Sequence, residues 1–264
     1  MDATTYQDYV NILHEELVPA MGCTEPIAIA YAAAVARQTL GRPAQRMEVE
    51  ASGNIIKNVK SVFVPNTGGL RGIPAAAAAG MAAGDPALEL EVLSSIGEGE
   101  QAAIRQYLAD TPIAVKLADS PFIFDIAIRA WAGEDSALVR IVNYHTNIVR
   151  VERNGQVLKE VEAQAAAEEG LTDKSVLTVE GILEFAREAA LADVEEAVGR
   201  QVRYNTAIAQ EGLRGDYGAN IGKVLLATYG DDVKIRAKAM AAAGSDARMN
   251  GCGLPVVIVS GSGN

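Results

Sequence analysis

Apolar positions recur with a helical period at both ends of the chain and with a period of two in its middle. Near the start, Tyr9, Ile12, Leu13 and Leu17 share one helical face. A second helix is predicted to open at Pro26, run through the apolar stretch Ile27 to Val35 and stop at Gly41. Met47 to Ala51 and Val59 to Val64 have extended character, separated by the polar string Ser52-Gly53-Asn54-Ile55-Ile56-Lys57-Asn58. A glycine-rich loop, Pro65-Asn66-Thr67-Gly68-Gly69-Leu70-Arg71-Gly72, then feeds a helix that begins at Ile73-Pro74 and continues into the small-residue run Ala75 to Ala79.

The pattern changes near Ala87. Leu88 to Leu93 reads as a strand, Gly99 to Leu108 as a helix, and Ile113 to Leu117 as a strand. Phe122, Phe124, Ile126, Ile128 and Ala130 alternate strictly, and Ala137 to Asn143 continues in extended form. Ile148 to Val151 and Gln156 to Leu158 flank Asn154-Gly155, the strongest short hairpin signal. After Val161 the helical period returns, with Ile182, Phe185, Ala186 and Ala189 on one stripe and further helices over Val194 to Gln210, Gly218 to Thr228 and Val233 to Ala243. The expectation is an α+β fold: an alanine-rich helical lobe in two parts, residues 1–86 and 164–264, split by a compact α/β insert over residues 87–163. Alanine-rich helices with few aromatics let backbones approach closely, which predicts a tight bundle.

Composition narrows the class of partner. With 49% hydrophobic and 22% charged residues over 264 positions the chain has the make-up of a folded globular protein. A formal charge of -11 and a pI near 4.8 provide no basic face for nucleic acid or an anionic membrane. The first residues are acidic and polar, unlike a secretory leader, and the apolar runs are too short to cross a bilayer, so a cytoplasmic location is expected. A small molecule or another protein is the expected partner, and the oligomeric state is left open, a homo-oligomer included.

Both cysteines lie in one frame, Gly22-Cys23-Thr24-Glu25-Pro26 and Gly251-Cys252-Gly253-Leu254-Pro255. Proline suits the first turn of a helix, so the frame predicts a thiol presented to unpaired backbone donors, which favour the thiolate that binds metal or attacks carbon. The plainer alternative is a small apolar side chain packed beside a turn. The loop Asn66, Thr67, Gly68 to Gly72 offers unobstructed backbone N–H groups, the cation Arg71 and a helix N-terminus, a combination that suits a carboxylate. Neither a phosphate-binding P-loop nor a dinucleotide fingerprint is present there. Lys57, beside Asn54 and Asn58, is a candidate catalytic lysine, with an exposed amphipathic face as the alternative. His14 and His145 have no histidine or cysteine at metal-ligand spacing and read as surface or core residues.

Four ordered blocks, namely Gly22 to Pro26, Ser52 to Asn58, Pro65 to Gly72, and Asn250 to Pro255 with Ser260-Gly261-Ser262-Gly263-Asn264, carry a family resemblance. Together they resemble the iron–sulfur L-serine dehydratase alpha-chain family, in its L-cysteine desulfidase branch. The resemblance implies a β-eliminating lyase that converts L-cysteine or L-serine to pyruvate and ammonia, releasing sulfide or water, with a [4Fe–4S] cluster as Lewis acid. It implies Cys252 as a cluster ligand and Cys23 as a thiol near the open iron. It also implies that Ser52, Asn54, the loop Asn66, Thr67, Gly68 and Arg71, and the turn Ser260, Ser262 and Asn264 grip the substrate. The remaining cluster cysteines are missing, so the chain is expected to be the N-terminal part of a longer enzyme, without its cluster and without full activity. A rival expectation is a non-catalytic amino-acid-binding or regulatory module, and a further one a protein-interaction domain built on the alanine-rich helices.

Overall fold

The computed structural model describes residues 1–163 and 171–259. In chain order the elements are α1 (Ala3–Glu16), β1 (Leu17–Met21), α2 (Thr24–Leu40), β2 (Arg46–Ala51), α3 (Gly53–Val59), α4 (Gly72–Ala83) and α5 (Glu98–Asp110). Then follow β3 (Ile113–Leu117), β4 (Asp125–Ala132), β5 (Asp135–Val142), β6 (Ile148–Arg153), β7 (Gln156–Glu160), α6 (Val179–Glu188), α7 (Leu191–Arg214), α8 (Ile221–Tyr229), α9 (Val233–Met249) and β8 (Pro255–Val259). The fold is α+β, as the periodicity predicts.

Two sheets organise it. The larger has the order β3-β2-β4-β5-β6-β7, antiparallel throughout except for the parallel pair β2–β3. Parallel neighbours need a long crossover, and α3, α4 and α5 supply it. Strand β2 comes from residues 46–51, so this sheet draws on chain from both sides of residue 87. The β6–β7 hairpin turns through Asn154 and Gly155 at φ 52° and 78°, the paired positive values that a two-residue hairpin loop requires.

Helix α2 is the centre of the molecule. Its alanines and isoleucines are buried on all sides because β4 and β5 lie against one flank and α4 against another. The α2–α4 crossing is very close: a β-carbon at Gly80 would stand 1.9 Å from the Ala30 carbonyl oxygen. The later helices use the same device, Gly212 of α7 against Ala243 of α9 and Gly222 of α8 against Ala239. Small residues are spent where backbones touch.

The second sheet is a two-stranded ribbon, β1 antiparallel to β8, with Leu17 opposite Val259 and Met21 opposite Pro255. It ties the first helical region to the last and sets the position of the site below. Three local expectations are corrected. The polar string 52–58 lies in a helix, α3, N-capped by Ser52, and the extended segment expected over Val59 to Val64 is reduced to an isolated bridge between Phe63 and Arg71, since Val59 still belongs to α3. Leu88 to Leu93 is not a strand: Asp85 accepts from the Ala87 N–H and Pro86 opens a 3-10 turn, which outweighs the short alternation. Pro255 opens strand β8, not a helix, because four β-branched residues follow it.

Candidate functional site

The register of the ribbon brings the two cysteine frames to one end of it. Met21 pairs with Pro255, so Gly22-Cys23 leaves β1 where Cys252-Gly253-Leu254 enters β8. Both frames then press on the same stretch of the glycine-rich loop. A β-carbon on Gly22 would lie 2.3 Å from Cγ of Pro65, one on Gly253 2.4 Å from Oδ1 of Asn66, and one on Gly251 3.4 Å from Cβ of Phe63. Gly22 and Gly251 also have positive φ, 57° and 88°, a conformation that L-residues rarely adopt. Gly22 is therefore required by both dihedral and contact, and Gly251 by its dihedral, since a β-carbon there would meet Phe63 at ordinary van der Waals distance. Arg248, in the last turn of α9, closes the arrangement by donating from Nε to the Gly22 carbonyl at 2.8 Å.

Cys23 is the N-cap of α2, as its frame predicts, but it is not held as a thiolate. Its Sγ donates to Glu25 Oε2 at 2.9 Å. Burial, reinforced by the Glu25 carboxylate, pushes the Cys23 thiol up to about 12, outweighing the helix-terminal donors and the nearby Arg248. Glu25 is itself gripped on its other oxygen by Asn58 Nδ2 of α3 at 3.3 Å. Its carboxyl stays below the usual range despite desolvation, through the Cys23 and Asn58 hydrogen bonds and the nearby His145. His145 lies in the β5–β6 connection, with its ring 4.6 Å from that of Phe124 and a buried Nε2 that has no hydrogen-bond partner. Desolvation depresses it to about 4, so it is neutral, and Arg248 adds to that depression while Glu25 opposes it. Cys252 is buried in the main core, its N–H bonded to the Ala247 carbonyl, and its thiol contacts the Tyr217 hydroxyl. Both thiols are free.

The loop 66–72 is a tight hairpin. Thr67 is fully buried and spends its hydroxyl on the loop itself, donating to the Val64 carbonyl and accepting from the Leu70 N–H. Asn66, at φ 58°, donates to the Leu93 carbonyl. Gly68 accepts from Arg105 through its carbonyl. Arg71 is exposed, and its guanidinium stacks 3.7 Å over the Phe63 ring. Between this loop and the Cys252 segment lies a hollow of about 230 Å³, lined by Phe63, Asn66, Gly68, Gly69, Gln101 and Asn250 among others. That is below the ~300–1,000 Å³ of drug-sized ligand pockets and suits a compact amino acid. A larger, mostly apolar cleft of about 610 Å³ runs between α7 and α9, and Arg248 reaches its wall too.

Other predicted residues stand apart. The Ser52 hydroxyl is spent on the Ile123 carbonyl at 2.6 Å, and Asn54 and Lys57 are exposed on α3. Ser260, Ser262 and Asn264 lie outside the described residues. Sequence reasoning missed Glu25, Asn58, His145 and Arg248 as a cluster. An acidic residue in the first turn of α2 was the one available signal; nothing in the pattern places His145 or Arg248 beside it.

Residues 88–264 match the model of the serine dehydratase alpha chain. Over 98% of the chain is 56% identical to a UPF0597 protein of Desulfitobacterium hafniense, and 98% is 50% identical to one of Lachnoclostridium phytofermentans. The whole chain is 42% identical to a UPF0597 protein of Treponema denticola. These alignments cover 60%, 62% and 63% of the relatives' own lengths, so the chain spans about three fifths of the curated relatives it matches. No solved structure matches it. The chain is thus an α+β protein with a thiol–carboxylate–imidazole–guanidinium cluster and, lined by other residues, a small polar hollow. It belongs to the serine dehydratase alpha chain family.

Proposed function

We propose that this chain supplies the amino-acid seat and one proton-handling cluster of a β-eliminating lyase of the serine dehydratase type. The substrate is L-serine or L-cysteine, and the products are pyruvate, ammonia and water or hydrogen sulfide. One observation carries the reading: in a member of this family, both glycine-flanked cysteine segments rest on the Pro65–Asn66 step, beside a hollow of amino-acid size. Elimination needs a group to take the α-proton and one to stabilise the departing hydroxyl or thiol, and a seat that orients both bonds. The hollow offers the Gln101 side chain and the Gly68–Gly69 backbone for the substrate's charged ends, while the Asn66 and Asn250 amides, donating to the Leu93 and Asp246 carbonyls, hold its walls.

A [4Fe–4S] cluster belongs to this reading as the Lewis acid on the leaving group. The chain's own residues do not make up its ligand set. Cys23 and Cys252 are its two cysteines, and among the described residues no group of three or more His, Cys, Asp or Glu side chains could hold a metal ion. Cys252 is the proposed contribution from this chain, with further thiolates from outside its 264 residues.

Backbone NMR tests the seat. L-serine and L-cysteine should shift the amides of residues 66–69 and 250–251, and a titration in which neither segment responds to either amino acid defeats the reading. Turnover is read separately as pyruvate released by the anaerobically reconstituted full-length relative, expected to vanish with the residue equivalent to Cys252 changed to serine. Binding without pyruvate would favour the non-catalytic amino-acid-binding module instead.

A further inference from the structure

We infer that the apolar cleft between α7 and α9 is the seat of another part of the same polypeptide, namely the stretch, about two fifths of their length, by which the full-length relatives exceed the region aligned with this chain. The inference does not depend on the lyase reading.

The cleft is built as a packing surface. Val202, Thr206 and Ala209 of α7 and Met240, Gly244 and Arg248 of α9 follow one another at intervals of three or four residues, so each helix turns one stripe toward the opening. Val256 and Val257 of β8 complete the lining. Charge is sorted away from it. Helix α7 carries seven Asp, Glu and Arg residues and α9 five Asp, Lys and Arg residues, and of these Arg248 alone lines the cleft, buried and bonded to the Gly22 carbonyl. Val202 nevertheless stands 61% exposed there. Most of the large apolar side chains exposed among the described residues lie beyond residue 170, with Leu191 on α7, Tyr229 on α8 and Val233 on α9 among them. An apolar surface of this kind, bounded by charged residues, marks a contact face.

The occupant follows from what else the molecule offers. The additional stretch of the relatives has to pack against some surface of the aligned region if the two are to form one body, and a fixed contact between parts of a chain needs a hydrophobic face. The broad outer face of the large sheet is unsuitable, since its hollow is lined by Glu50, Asp125, Arg129, Arg140, Arg150 and Glu152 among others. A second copy is disfavoured by a formal charge of -11 on each chain, whereas a covalently attached stretch is held near the cleft at high effective concentration. Asn205 also limits how the occupant can sit. Its amide donates to the Val257 carbonyl at 3.3 Å and accepts from the Val257 N–H at 2.9 Å, which closes the free edge of β8 at that residue. The occupant therefore rests on side chains, as a helix does in a groove, and does not extend the ribbon as a third strand. Ala209, Ala241 and Gly244 leave room for its backbone to come close.

The test uses the full-length Desulfitobacterium hafniense relative, with the photoreactive residue p-benzoylphenylalanine at the position aligned with Val202 and, in a second variant, at that aligned with Thr206. Both side chains are exposed in this chain, so neither replacement enters the core. A one-to-one mixture of isotopically light and heavy protein is irradiated, and peptide mass spectrometry locates the cross-links. They should run within one chain, from α7 to peptides outside the aligned region, with none from the position aligned with Leu158 of β7. Light-to-heavy cross-links would assign the cleft to a second copy, and no cross-link from either α7 position would leave it open to solvent; either result overturns the inference. Thermal unfolding gives a second measure. Val202→Glu should leave the Tm of the 264-residue chain within about 2 °C, because that side chain is already solvated, and the same change in the full-length relative should lower it by about 5 °C or more. Equally small shifts in the two proteins would overturn the inference as well.

Discussion

Gly22→Ala measures how tightly the Cys23 turn is clamped on the loop, because two separable effects meet at this position. The first is conformational: φ is +57°, where an L-residue costs about 1–2 kcal/mol over glycine. The second is steric, since the new methyl would lie 2.3 Å from Cγ of Pro65, inside any real contact distance. Pro65 is a buried ring with no soft torsion to yield, so an overpacking cost of roughly 1–3 kcal/mol applies. The sum is about 3 kcal/mol, or roughly 6–12 °C in Tm for a chain of this size. Gly41→Ala provides the comparison. Gly41 closes α2 at φ +79° with nothing within 4 Å of the added carbon, so it has the conformational term alone, about 1–2 kcal/mol. The assay is thermal unfolding followed by circular dichroism on both variants and the native chain. Equal losses in the two would show that Gly22 does not touch Pro65, and the shared seating of the two cysteine frames would go with it.

Further predictions concern the charges. Arg140 holds the buried Asp125 carboxylate through both Nε and Nη2, at 3.0 and 2.6 Å, on the polar face of the large sheet. Arg140→Ala should therefore cost about 3 kcal/mol in urea unfolding, and adding Asp125→Ala should recover part of it, since no unpaired buried charge then remains; a double variant worse than the single would contradict this. His145 is neutral in the fold, depressed to about 4, and its ordinary value is 6.5. The unfolded chain binds more protons than the native one between those values, so stability contributed by the neutral ring is complete above about pH 6.5 and is lost as pH falls toward 4. The loss amounts to about 3 kcal/mol. His145→Phe should flatten that stretch of the pH–stability curve measured by denaturant unfolding, and an unchanged slope would show that His145 is not desolvated.

How much of this was legible in the sequence differs by element, and the reason is range. The helix from Ile27 to Val35, the alternation through Ile126, Ile128 and Ala130, and the Asn154-Gly155 turn are local patterns, and each forms where the periodicity places it. Strand β1 was invisible: Leu17-Val18-Pro19-Ala20-Met21 has no alternation, contains a proline and exists because β8, more than two hundred residues later, pairs with it. Val59 reads as the start of an extended segment after a polar string, whereas Ile55 and Val59 are in fact one buried helical stripe four residues apart. In the site, the glycine-cysteine frames were visible as a motif. Their physical meaning was not, since glycine at 22 and 253 is set by Pro65 and Asn66, which no local pattern connects to them.

The same long-range logic explains why the cysteines differ in character although their frames match. Cys23 caps a helix whose second residue is Glu25, and its enclosure is completed by side chains from α3, the β5–β6 connection and α9. Helix-terminal donors alone would lower the thiol, but a carboxylate at 2.9 Å and the loss of water reverse the sign. Cys252 has no carboxylate in its frame, because glycine stands where Cys23 has threonine and leucine where it has glutamate, and its neighbour is the Tyr217 hydroxyl. A thiol without an adjacent anion is the better prospective metal ligand, since binding a cation need not first displace a hydrogen-bonded carboxylate. A thiol locked to a carboxylate is better placed to exchange a proton. One five-residue frame, repeated at the two ends of a ribbon, thus yields two chemically different sulfurs, and the difference is written in the two residues that follow each cysteine.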